Sequence, residues 1–259
     1  MIDTHIHLDD HKFNGLVQGI INDMPRDNLE LLINVSCNYD SMVKSVQLTR
    51  AYDNVYCTIG THPHDASTFD DNMVKAMREY AQLDKVVGVG EIGLDYYYDF
   101  SPISTQKDVF ARQIEIADQL KLPICLHIRD AFGDCNDILT AERKYLNNGV
   151  LLHCYSGSGE QARQWAKQGY FFAFGGAITF KKNHKSEVLS VIPITQVLTE
   201  TDAPYLTPEP YRGKLNLPRY ISLVLPVMAQ AYGVSVQDMD EQVKRNCYNF
   251  FGRLPRLNG

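Results

Sequence analysis

Two histidines two residues apart, His5 and His7, stand in a short apolar run at the head of the chain, Ile2–His7. In a strand, side chains at i and i+2 leave on one face, so both imidazoles would point the same way. Four more residues able to hold a cation end or follow later runs of this kind: Glu91, His127, His153 and, just past Val197-Leu198-Thr199-Glu200, Asp202. Imidazole nitrogen and carboxylate oxygen suit Mg²⁺, Mn²⁺ or Zn²⁺, and a glutamate can bridge two such ions about 3.5–4 Å apart. A lone strand-end histidine is more often a satisfied core or surface residue, and a lone Glu91 or Asp202 a helix cap or solvated end. Six of them, all at strand ends, point to a metal site. The expected grouping is His5, His7, Glu91 and Asp202 on one divalent ion, and Glu91, His127 and His153 on a second. The remaining positions would take a bridging water and a substrate oxygen. Glu200 would orient a ligand histidine from behind.

That convergence needs a fold that brings residues nearly 200 positions apart to one rim. Short β-branched runs recur at Ile2–His7, Leu31–Ser36, Val55–Gly60, Lys85–Glu91, Leu122–His127, Val150–His153, Tyr170–Gly175 and Gln196–Glu200. Several are continuously apolar, as parallel strands covered on both faces are. Helix-like stretches separate them. The clearest is Gln106–Leu120, with Val109, Phe110, Gln113, Ile116, Ala117 and Leu120 at helical spacing, Pro102 ahead of it and Ser101 and Ser104 as candidate caps. Eight strand–helix units in about 250 residues match a (β/α)₈ barrel, a TIM-type α/β fold whose active sites sit at the strand C-termini. A doubly wound open sheet is the alternative.

The chain has 259 residues and a formal charge of −6, which argues against a broad basic face for gripping nucleic acid. No run approaches the length of a membrane span, and no linker or repeat divides the chain, so one barrel domain over residues 1–259 is expected. The polar N-terminus and six cysteines without a Cys-x-x-Cys pair fit a cytoplasmic protein with reduced thiols, taken as a monomer. Gly88-Val89-Gly90-Glu91-Ile92-Gly93 spells a dinucleotide fingerprint, but no helix opens after it. Cys154 beside His153 alternates to the opposite face, which disfavours a thiol nucleophile.

Rim loops add candidates for substrate contacts. His62 and His64 follow the third strand, where either could hydrogen-bond a phosphate oxygen or stabilise a leaving group. Arg129 could clamp a phosphate or pair with Asp130. Lys181, Lys182, Arg212 and Lys214 follow the seventh and eighth strands, a common phosphate position in barrels, although a charge run is usually a solvated face. Tyr96, Tyr97, Tyr98, Tyr155 and Tyr205 could stack on unpaired bases or simply pack the mouth.

At these residues the sequence resembles the TatD family of metal-dependent deoxyribonucleases, within the amidohydrolase-type barrels. The resemblance rests on Asp3-Thr4-His5-Ile6-His7-Leu8-Asp9, Gly60-Thr61-His62-Pro63-His64, Gly90-Glu91-Ile92-Gly93-Leu94-Asp95, Pro123-Ile124-Cys125-Leu126-His127-Ile128-Arg129-Asp130, His153-Cys154-Tyr155-Ser156-Gly157 and Glu200-Thr201-Asp202-Ala203-Pro204. It implies a distorted barrel, two divalent metal ions on the six ligands named, and hydrolysis of DNA phosphodiesters, typically as a 3′–5′ exonuclease. Single-stranded DNA or a 3′ end would be the substrate, Asp202 the proton acceptor, Glu91 the bridge, and His62 an aid to catalysis. The same metals could instead hydrolyse esters or amides, for example D-aminoacyl-tRNA.

Overall fold

A computed structural model describes residues 1–98, 100–180 and 185–255. Every run read as a strand is one: β1 Ile2–Ile6, β2 Leu31–Val35, β3 Val55–Ile59, β4 Val86–Asp95, β5 Ile124–Arg129, β6 Val150–Leu152, β7 Phe171–Phe174 and β8 Val197–Thr199. They form one sheet in sequential order, each neighbouring pair parallel. Sequential order rules out the doubly wound alternative, in which the order reverses at a switch point. Helices α1 Val17–Asp23, α2 Tyr39–Ala51, α3 Asp71–Tyr80, α4 Ile103–Leu120, α5 Phe132–Ala141, α6 Gly159–Lys167, α7 Lys185–Leu189, α8 Ile221–Tyr232 and α9 Val236–Phe250 interleave with or follow the strands. No helix among the described residues is long and apolar enough to cross a membrane.

The barrel closes irregularly. Between β8 and β1, side chains do part of the work of a ladder: Thr4 Oγ1 donates to the Thr199 carbonyl (2.9 Å), Thr199 Oγ1 to that of Ile2 (2.8 Å), and the Thr201 N–H to Asp3 Oδ1 (2.9 Å). Past β8 the backbone takes over, with Asp202 N–H donating to His5 O and His7 N–H to Ala203 O. This seam fixes Asp202 against His5 of β1 and His7 just past it.

β4 runs four residues beyond its expected end. Its register against β5 slips between Val89 and Ile92, where the glycines let the two backbones close up. A Cβ on Gly90 would stand 2.6 Å from Cys125 Cβ, and one on Gly93, at φ +138°, 2.1 Å from the His127 carbonyl oxygen. The apparent dinucleotide fingerprint is therefore a strand pressed against its neighbour.

α4 shows how the apolar stripe also steers the rim. It starts at Ile103 with Pro102 as N-cap, and no side chain caps it; Ser101 Oγ instead donates to the His64 carbonyl. Gln113 and Gln106 lie on its buried face because their amides hold backbone. Gln113 binds both the N–H and the carbonyl of Thr61 (2.7 and 3.0 Å), and Gln106 those of Asp95 (2.9 and 3.0 Å). Buried polar groups of this kind are stable only when satisfied.

Below the rim the barrel interior is apolar. Ile2, Leu31, Ile33, Val87, Cys125, Leu151, Ala173 and Leu198 meet Cys247 and Phe250 of α9, and Phe251 and Leu254 beyond it. Asn246 latches α9 to the start of β8 by donating to the carbonyls of Ile194 and Val197, both at 2.8 Å.

Candidate metal centre

At the other end of the strands, donors surround one carboxylate. Glu91 Oε2 lies 3.4 Å from His5 Nε2 and 3.8 Å from His7 Nε2. Its Oε1 lies 2.9 Å from His127 Nδ1, 3.5 Å from His153 Nε2 and 3.7 Å from His62 Nε2. Asp202 Oδ1 stands 3.4 Å from His7 Nε2 and 3.9 Å from His5 Nε2. Asp202 sits in the left-handed region at φ +55°, which aspartate tolerates better than most residues and which functional sites often contain.

Hydrogen bonds behind the rings fix which nitrogens face inward. His7 Nδ1 meets the Val35 carbonyl at 3.1 Å and His153 Nδ1 meets Glu200 Oε2 at 3.0 Å. Both partners accept, so Nδ1 carries a proton and Nε2 is the nitrogen turned into the centre. His62 is set the other way. It caps the 3₁₀ turn Pro63–Thr68, its Nδ1 accepting the His64 N–H at 3.1 Å, so its proton is on Nε2. His5 Nδ1 is buried without a hydrogen-bond partner. The inward-turned nitrogens, ionised oxygens and unsatisfied His5 fit divalent cations, whose ligands are neutral imidazole and carboxylate.

Among the described residues four groups offer donor atoms within 4.8 Å of one another, three of them around this centre: His5, His7 and Glu91; His5, His153 and Asp202; His62, Glu91 and His127. Between them these groups contain all six residues expected from sequence, and they add His62. His153, one residue past β6, stacks on His5, ring centroids 3.6 Å apart. His62, expected as an aid to catalysis, lies beside His127 (centroids 4.5 Å) with its Nε2 3.7 Å from Glu91 Oε1. The fourth group joins His153, Cys154 and Glu200; the Cys154 N–H donates to Glu200 Oε1 at 2.7 Å.

Burial pushes the Glu91 carboxyl up, but His5, His153 and His62 around it win and hold it well below the ordinary range. Burial likewise opposes the charged form of His153, yet Glu200 and Glu91 raise it to about 9, so a cation taking its Nε2 would displace a proton. His62 falls well below its usual value through burial and the neighbouring His127, so it is a neutral hydrogen-bond donor.

Sequence reasoning missed Asp95. Its Oδ2 faces His127 Nε2 at 2.9 Å and His64 Nε2 at 2.8 Å, and its Oδ1 accepts the N–H groups of Tyr97 and Tyr98. The signal was present: Glu91, Gly93 and Asp95 alternate onto one face once the strand is allowed to continue. Of the expected substrate contacts, His64 thus borders the centre. Tyr96 turns its hydroxyl to Asp134 of α5 (2.5 Å), which leaves Tyr97 and Tyr98 more exposed. The Arg129 guanidinium lies over Tyr97, 4.0 Å from the ring centroid. Arg212 lies over Phe180 at 3.9 Å, joining the loops after β7 and β8. Tyr155 is buried, and Tyr205 donates to Asp10 Oδ2 at 2.5 Å. Lys181 and Lys182 fall outside the described residues.

A parallel eight-stranded barrel with imidazoles and carboxylates converging at the strand C-termini defines a metal-dependent hydrolase of the (β/α)₈ class. Comparison with known proteins carries this further. The family model described as TatD related DNase matches residues 2–252, and the chain belongs to that family. It is 34% identical over 252 residues to the metal-dependent hydrolase YabD of Bacillus subtilis, covering 97% of this chain and 98% of the relative. It is 32% identical over 214 residues to a protein of Cronobacter sakazakii named 3′-5′ ssDNA/RNA exonuclease TatD, covering 80% and 81%. The crystal structure of YJJV, a TatD homolog from Escherichia coli K12, superposes with a TM-score of 0.91 at 26% identity over 98% of both chains.

Proposed function

We propose that this hydrolase is a deoxyribonuclease that shortens single-stranded DNA from its 3′ end and uses two divalent cations. The observation that carries the reading is Glu91, whose two oxygens face different sets of nitrogen donors. His5, His7, Glu91 and Asp202 would hold one ion, and Glu91, His127 and His153 the other. Such ions supply positive charge to phosphoryl oxygens and lower the pKa of water.

The chain's own groups do the rest. Asp202, with a side chain 15% exposed where that of Glu91 is 3%, would take up the proton of the attacking water on its carboxylate. His62 would donate from Nε2 to a phosphoryl oxygen. Glu200 keeps the His153 proton on Nδ1, and Asp95 does the same service for the ring plane of His127. His64, Arg129 and Arg212 would contact flanking phosphates, and Tyr96 would contribute its ring to the wall of the mouth. The name of the Cronobacter relative supports a nucleic-acid substrate.

The test is metal-stripped protein reconstituted separately with Mg²⁺, Mn²⁺ and Zn²⁺ and given a 5′-labelled single-stranded oligonucleotide. A ladder shortening from the 3′ end, lost in Glu91→Ala, is the expected result. No cleavage with both cations bound would overturn the substrate and send the search to esters, amides and aminoacyl-tRNA.

A further inference from the structure

The turn after β4 displays large apolar side chains where a barrel loop would ordinarily be polar. Tyr97, Tyr98, Phe100 and Ile103 lie within seven residues and are all exposed, Phe100 by 66% and Tyr97 by 58%. Exposed clusters of this kind mark interaction sites more often than chance packing. The rings are ordered against one another. Tyr98 and Phe100 are nearly parallel, 9° between planes with centroids 5.4 Å apart, and Tyr97 stands edge-on to Tyr98 at 4.8 Å.

The backbone beneath them is tied down. Asp95 Oδ1 accepts the N–H groups of Tyr97 and Tyr98, and the Gln106 amide holds the carbonyls of Asp95 and Ser101. Tyr97 and Tyr98 are thus held out into water by backbone that Asp95 ties down, and fraying does not explain them. They also adjoin the metal centre. His64 meets Tyr98 and Phe100 edge-on, at 5.3 and 4.9 Å, and shares Asp95 Oδ2 with His127. Arg129 lies over Tyr97 and Tyr98 at 4.0 and 5.0 Å.

We propose that Tyr97, Tyr98 and Phe100, with Arg129, are a stacking shelf for an unpaired base next to the phosphodiester held at Glu91. The inference rests on the nuclease reading and deepens it by naming the side chains that would hold an unpaired base of the single strand beside the reacting phosphodiester. Every base offers a π-face, so the shelf accepts all four and reads the absence of a complement. The fixed positive charge over the same rings suits a polyanion and would gain nothing from a lipid chain or an apolar protein surface. A paired terminal base is already stacked and would have to be unpaired first.

The experiment uses the Mg²⁺- or Mn²⁺-loaded enzyme and a single-stranded oligonucleotide carrying 2-aminopurine next to the 3′ end. Phosphorothioate terminal linkages slow its cleavage. Stacking should quench the 2-aminopurine fluorescence in the parent protein. In Tyr98→Ala/Phe100→Ala, binding should weaken roughly 5- to 100-fold and the quench should disappear. KM on an unmodified strand should rise more than kcat falls, and an abasic site at the stacked position should erase the difference between the proteins. Phe100→Leu, a milder change at an exposed ring, repeats the test if the double variant does not fold. Cleavage with the same KM and quench in parent and variants overturns the shelf and leaves the nuclease intact. Shelf-dependent quench without cleavage of any strand sinks the nuclease and keeps the shelf. Neither quench nor cleavage in the parent removes both.

Discussion

The two ends of this barrel are made by the same eight strands and bury opposite chemistry. At the floor, Ile2, Leu31, Ile33, Val87, Cys125, Leu151, Ala173 and Leu198 face Phe250, Phe251 and Leu254, an apolar layer that gains from leaving water. A few residues further along the strands, His5, Glu91, His127, His153 and Asp202 crowd together. Glu91 is 3% exposed and His5 fully buried, and desolvating such groups costs free energy unless opposite charge or hydrogen bonds offset it. The floor is where the barrel gains stability; the rim is where it gives some back so that its donors can be held in advance.

The largest way to test that contrast is at its centre. Glu91→Ala should lower turnover by at least about 10³-fold, since several kcal/mol of charge stabilisation goes with the ligand. Its metal-free form should still unfold cooperatively, with a melting temperature lowered by the loss of the carboxylate's pairing with the histidines; a collapse of the fold would show that the rim is structural. At the opposite end, Phe251→Ala should cost about 3–5 kcal/mol in urea unfolding. Its turnover per folded molecule below the transition should match the parent's, and a loss there would dissolve the distinction. Saturating the parent with cation to about 100 times its Kd should add about 2.7 kcal/mol of stability, seen as a raised melting temperature that Glu91→Ala does not show. The smallest effect belongs to the supports: Glu200→Gln should weaken cation affinity by about 10- to 100-fold in calorimetric titration of stripped protein. An unchanged affinity would mean that the His153 ring needs no orienting partner.

Legibility in the sequence followed the same division. Strand positions were readable throughout because continuous apolar runs such as Leu31–Val35 and Phe171–Phe174 mark strands covered on both faces. The donors were readable because each sits at or just past the end of such a run. Asp95 was not, because three glycines in six residues look like a turn when they in fact let β4 and β5 touch. The closure by Thr4, Thr199, Asp3 and Thr201 was not either, since it depends on pairs nearly the whole barrel apart in sequence. Nor could periodicity show why α4 buries glutamines: Gln113 sits at a core position in the pattern, and only the fold reveals the Thr61 backbone it holds.

The seam also sets an order of events. Thr4 and Thr199 are 195 residues apart, Asp3 and Thr201 are 198, and the floor under Ile2 is completed by residues from Cys247 onward. Chain leaving the ribosome therefore carries β1, with His5 in it and His7 just past it, long before anything can cover it. Contacts this remote fold slowly and leave intermediates open to aggregation. A nascent chain arrested before α9 emerges should be protease-sensitive across the whole barrel, and should harden only once Phe251 and Leu254 are free to dock.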